Sequence, residues 1–79
     1  MTNANNAKDD LIEALSEIEH KQWMYWSKTV AAEVSPATCD KWKVSWVDYN
    51  KLPDDVKEAD RVWARKVVTL LRQRRLFKI

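Results

Sequence analysis

Between residues 9 and 33 apolar side chains return every three or four positions. At about 100° per residue, Leu11, Ile12, Leu15, Ile18, Trp23, Trp26 and Val30 fall in one broad arc. Glu13, Glu17, Lys21 and Lys28 lie opposite, with Glu17 and Lys21 forming a favourable i,i+4 pair. This pattern predicts an amphipathic helix capped by Asp9 or Asp10 and running to about Glu33, where Ser35-Pro36 interrupts it. A second helical period predicts a buried face of Val56, Ala59, Trp63, Ala64, Val67, Leu70 and Leu71. That helix starts at Leu52-Pro53-Asp54-Asp55 and ends near Leu76. Leu52 is placed to pack on Val56 as a hydrophobic staple.

Ser35 followed by Pro36 is a cap followed by a good first helical residue, so a short helix is expected over 36–47, with Cys39, Trp42 and Trp46 on one face. The alternative is an extended segment over 43–49, which alternates with period two and is rich in strand formers. The fold class that follows is mainly α: two long antiparallel helices plus a short middle helix or extended segment. Residues 1–8 are polar, Asn-rich and without period, and read as a disordered tail before a single helical domain over 9–79. The chain has no glycine, which weighs against tight positive-φ turns and hence against a β-rich fold.

Composition sharpens this picture in two ways. A chain of 79 residues is near the lower limit for a self-sufficient core. Cys39 is its single cysteine, so no intrachain disulfide can help, and one His with one Cys does not make a common zinc site. No metal or cofactor is expected. Aromatic packing by Trp23, Trp26, Trp42, Trp46 and Trp63, or oligomerisation, must supply the difference. A homo-oligomer, a dimer first, is therefore expected, with Leu76, Phe77 and Ile79 otherwise left exposed beyond the helix pair. No apolar run approaches the roughly 20 residues that span a bilayer, and the N-terminus lacks a signal peptide's apolar stretch, so a soluble cytoplasmic protein is expected, with no membrane partner.

Charge is uneven: residues 1–20 sum to −4 and residues 61–79 to +7, within a net charge of +2. Such a basic segment can attract phosphate or an acidic protein, or simply complement a helix dipole. With only one basic segment, nucleic acid is not expected as a partner.

Three constellations could carry chemistry. Asp60 falls inside the apolar arc, so it must be hydrogen-bonded, either as a buried pin of the structure or as a ligand-contacting acid; unpaired burial would cost several kcal/mol. His20 and Trp23, spaced i,i+3 on the border of the first helix, offer a hydrogen-bonding ring beside a stacking platform, or else belong to the core. Arg61, Arg65 and Arg72, with Val68 among them, form a stripe suited to phosphate, or a solvated helical face. No Ser or Cys stands at a known spacing from His20. Paired carboxylates, glycine-rich phosphate loops and metal-spaced clusters are also missing, so a non-enzymatic protein is expected.

The segment Ile18-Glu19-His20-Lys21-Gln22-Trp23 resembles the Ile-x-His-x-x-Trp opening of the ryanodine-receptor-type (RyR) repeat domain. The segment from Tyr49 to Arg61, containing Leu52-Pro53-Asp54 and Asp60-Arg61, is similar to that family's Tyr-x-x-Leu-Pro-Glu stretch and following Asp-Arg helix. The resemblance covers most of residues 17–71 and is to the short stand-alone form found in prokaryotes and viruses. The family's glycine-containing turn and His-Pro pair are replaced here by Lys41-Trp42-Lys43-Val44-Ser45-Trp46. The resemblance implies a compact helical unit and a role in sensing nucleotide-derived ligands, and by motif position it carries over His20, Trp23, Tyr49, Asp60 and Arg61. The function expected is a binder of a nucleotide-type small molecule, as in a phage-type anti-defence sponge for a host signalling nucleotide acting in the host cytoplasm. Its base would lie near Trp23 and its phosphates near Arg61 and Arg65. The alternative is a helical protein-interaction or assembly module with no small-molecule ligand.

Overall fold

In a computed structural model, which describes residues 4–76, the chain forms three α-helices and two single 3-10 turns, with no strand among the described residues. Helix α1 spans Ala4–Thr29, α2 Pro36–Lys43 and α3 Asp54–Gln73; the turns are Ala31–Glu33 and Tyr49–Lys51.

Several boundaries depart from the periodicity, and tertiary contacts account for them. α1 starts at Ala4, so Asp9 and Asp10 lie inside it rather than capping it. Of the tail expected to be disordered, residues 1–3 lie outside the described residues and Ala4 to Lys8 are helical. Lys8 and Asp9 line a cleft with Arg65, Val68 and Arg72, which brings the end of α3 beside this part of α1. α1 ends at Thr29, short of Glu33, and its continuation tightens into the first 3-10 turn.

Ser35 does cap α2, its Oγ accepting the Thr38 N–H at 3.1 Å. The helix ends at Lys43 instead of Val47, and no extended segment follows. The chain turns instead, with the Ser45 N–H donating to Trp42 O at 2.9 Å. The turn delivers the Trp46 indole N–H to Ser27 Oγ at 3.0 Å and the Val47 carbonyl to His20 Nε2 at 2.7 Å. Two bonds to α1 thus override the local pattern.

α3 opens with Pro53 at its N-cap and with Asp54 and Asp55 in its first turn, where the helix dipole favours acids. It closes at Gln73, before Leu76, by a Schellman turn: the Arg75 N–H reaches Arg72 O at 3.0 Å and the Leu76 N–H reaches Leu71 O at 2.8 Å. Arg75, at φ 58°, takes the left-handed position that glycine usually fills.

The core is small. Ile12, Ala64 and Val68 form its centre, Leu11 and Leu15 pack at its edge, and Tyr49 and Leu52 are the other buried apolar residues among those described. Ser16 and Ala64 are fully buried; side chains this short let neighbouring backbones approach closely. Three contacts tie the two helices: Asp9 shares a cleft with Arg65, Glu13 pairs with Arg61, and Trp23 shares a cleft with Val56.

Both buried faces are rotated from those the apolar arcs predict. On α1 the buried residues are Ile12, Ser16, His20 and Ser27, while Ile18 and Trp26 are exposed. On α3 they are Ala64 and Val68, the latter lying within the arginine stripe, while Trp63, Val67 and Leu70 are exposed. The hydrogen bonds of His20 and Ser27 to the 44–47 turn and the ion pair of Glu13 with Arg61 select this rotation over the one that buries most apolar area. The radius of gyration is 15.1 Å, against about 12 Å for a compact domain of this length.

Candidate functional site

One flank of the α1–α3 pair is an ionic network centred on Glu13. Arg61 donates to it through Nη2 at 2.7 Å and Nε at 3.1 Å, and the Tyr49 hydroxyl donates to Oε2 at 2.5 Å. Arg61 Nη1 also reaches Asp54 at 3.0 Å. Arg65 holds Glu58 with two bonds of 2.5 and 3.0 Å. The Arg61 hydrogen bonds hold the Glu13 carboxyl below its ordinary range, and burial together with Glu13 pushes the Tyr49 phenol up. Tyr49 and Arg61 therefore bind α1, the second 3-10 turn and the start of α3 into one unit.

A cleft of about 150 Å³ is lined by His20, Trp23, Ser45, Val56, Ala59 and Asp60. His20 is buried, stacked on Trp23 with ring centroids 5.9 Å apart, and Trp42 meets Trp23 edge-on at 6.2 Å. Because a carbonyl only accepts, His20 Nε2 carries the proton given to Val47. Its Nδ1 lies 3.8 Å from Asp60 Oδ2, beyond hydrogen-bonding distance. The expectation that Asp60 is hydrogen-bonded is thus corrected: it is half-buried and accepts no hydrogen bond from the described residues, because α3 turns it toward the cleft rather than onto a donor. Burial raises its carboxyl above the ordinary range, outweighing the opposite pull of His20. Ser45, His20 and Asp60 are the residue types of a hydrolytic triad. Their wiring is not, since Nε2 is committed to Val47 and Nδ1 faces the acid.

Of the residues singled out by sequence, the fold gathers His20, Trp23 and Asp60 into this cleft. The Tyr49 ring lies 6.4 Å from His20, but its hydroxyl turns to Glu13. Arg61 and Arg65 line a separate depression with Asp9, Ile12, Glu13 and Glu58. Arg72 stands with Lys8 and Asp9 in a further cleft of about 260 Å³ and has no acidic partner among the described residues. None of these clefts among the described residues holds both the aromatic platform and the arginines. Sequence reasoning missed Glu13, which the helical projection places on the solvated side; its adjacency to Ile12 was the one hint that it borders the seam.

The opposite flank is apolar. On the helical projection Glu13 lies to one side of the α1 seam and Leu15 and Trp26 to the other, while Ile18 falls on the face turned away from α3. On α3, Arg61 lies to one side and Trp63, Val67 and Leu70 to the other. Since Glu13 and Arg61 meet, the two apolar flanks share the other side of the pair. Trp26 is 53% and Trp63 56% exposed there. The Lys66 ammonium sits 4.4 Å from the Trp63 ring centroid.

Among the described residues, no helix is long and apolar enough to cross a membrane and no group of three side chains is placed to hold a metal ion. Comparison with protein-family models, with curated proteins and with solved structures gives no match.

Proposed function

We propose that this chain is a non-enzymatic helical assembly module that works as a homodimer through the apolar flank of α1 and α3. The observation that carries the reading is that flank itself: Trp26, Trp63, Val67 and Leu70 are exposed on a chain whose described core is only a few residues. Packed domains rest on two layers around a shared core, and the α1–α3 pair, taken as antiparallel from the descending order of its contacts, is one such layer. A second copy is the other. A flank that meets its own copy about a two-fold axis is matched to it in kind and extent, which is how closed symmetric dimers cover such a face. Light scattering tests it: a particle of twice the 9.4 kDa chain mass is expected, and a monomer at micromolar concentration overturns the reading.

The RyR-like resemblance supports a second reading, a nucleotide-derived ligand, for which the stacked His20–Trp23 pair is the favourable observation. Phosphates directed to Arg61 or Arg65 must displace Glu13 or Glu58, so Arg72 is the readier contact. Calorimetry against linear and cyclic nucleotides tests this reading, and absence of heat at millimolar concentration removes it.

A further inference from the structure

Asp60 and His20 present two hydrogen-bond acceptors, with no hydrogen bond between them, to a cleft that Ser45 also lines. In the neutral ring, Nε2–H is spent on Val47, so Nδ1 is a lone pair, and the nearest Asp60 oxygen is 3.8 Å away. Two acceptors that far apart leave room for one nitrogen within hydrogen-bonding reach of both. Trp23 forms an aromatic wall, and Val56 and Ala59 line the cleft with aliphatic surface. Glu19 adds negative potential at Asp60. The cleft holds about 150 Å³, half the lower bound of about 300 Å³ for ordinary ligand pockets, so it suits a headgroup rather than a whole ligand.

We infer that this cleft binds a primary ammonium or guanidinium group, which donates N–H bonds to Asp60 and His20 Nδ1 and rests its charge on the face of Trp23. The carboxylate neutralises the cation, the indole adds a cation–π contact, and the aliphatic wall takes the first methylenes of its stem. An anion is repelled by Asp60. A neutral aromatic leaves both acceptors unpaired, which a half-buried site penalises. The same chemistry reaches the cleft either as a free alkylamine or alkylguanidine or as an arginine side chain of a peptide. The inference is independent of dimerisation.

The test is titration of the intact protein with propylammonium, propylguanidinium, N-acetyl-arginine amide and tetramethylammonium, read by the ¹H–¹⁵N resonances of the Trp23 indole and the Ala59 amide. Saturable shifts of both by propylammonium or propylguanidinium are expected, with the Trp63 indole unmoved. Tetramethylammonium, which has charge but no N–H, is expected to bind roughly tenfold more weakly or worse. Tighter binding of the arginine amide than of propylguanidinium identifies a peptide as the source, and the reverse a free cation. Asp60→Asn keeps the shape and is expected to weaken binding by roughly tenfold or more. Equal binding of tetramethylammonium, equal binding by a folded Asp60→Asn, or no saturable shift from any probe overturns the proposal. Should that variant not fold, the four probes on the wild-type chain decide alone.

Discussion

The two flanks of the α1–α3 pair solve different problems with similar numbers of side chains. On one, Glu13, Tyr49, Asp54 and Arg61 satisfy one another inside a single protomer. On the other, Trp26, Trp63, Val67 and Leu70 stand exposed, with Trp26 also touching the Trp42 ring. Polar groups have strict partners and so fix geometry, whereas apolar surface is satisfied by any cover that excludes water. The rotation of the two helices follows the groups with strict partners, and the area left over becomes available for association.

The sharpest way to break this contrast is a charge on the apolar flank. Val67→Glu combined with Trp63→Glu is expected to weaken the dimer by roughly a hundredfold or more, while helix content measured by circular dichroism stays unchanged. Loss of fold together with loss of dimer instead places these residues in the protomer's own core. On the ionic flank, Arg61→Met leaves Glu13 and Tyr49 without their cation and is expected to cost about 1–2 kcal/mol. For a domain this small that is a fall in Tm of roughly 5–15 °C. Dimer affinity should follow only through stability; a selective loss of association joins the two flanks that the contrast separates.

Acid separates two carboxylates. Glu13 titrates lower in the folded chain than in the unfolded one, so its stabilisation is complete above the ordinary value of 4.5 and is lost as pH falls through its depressed folded value. Asp60 behaves oppositely: its contribution is fully present below 3.8 and is lost as pH rises through its raised folded value, so the ionised form is a penalty at neutral pH. Glu13→Gln should flatten the acid limb of Tm against pH, and Asp60→Asn should steepen it while leaving neutral Tm unchanged or higher. An Asp60→Asn variant that melts well below wild type at neutral pH refutes the unpaired state of that acid. The smallest effect is expected for Arg65→Ala, whose ion pair with Glu58 is exposed on both sides: Tm within error of wild type.

Helix content, the Ser35 cap and the acidic start of α3 are legible because each depends on neighbours within a turn. The helix faces are not. Projection ranks positions by hydrophobicity, yet Ser16 and Ala64 reach full burial because they are small, and His20 because Val47 accepts its proton. The end of α2 was illegible for the same reason, since Ser27 and His20 lie about twenty residues or more from their partners. The cleft was half visible: His20, Trp23 and Asp60 were singled out individually. Ser45 joined them only through the turn, and the Arg61 partner on Glu13 needed a contact across 48 positions.

The five tryptophans occupy unequal environments, and that inequality gives the molecule its own optical readout. Trp46 is fixed to Ser27, and Trp23 and Trp42 pack on one another within the protomer, so their emission reports whether the chain is folded. Trp26, though it touches the Trp42 ring, and Trp63 are each about half exposed on the apolar flank, so a dry cover over them is expected to shift their emission to the blue. For the proposed homodimer, dilution through its dissociation range is expected to move the emission maximum to longer wavelength with no change in helicity. Denaturant moves it further, as the three remaining indoles meet solvent. Two separated red shifts in one unlabelled protein distinguish losing a partner from losing the fold.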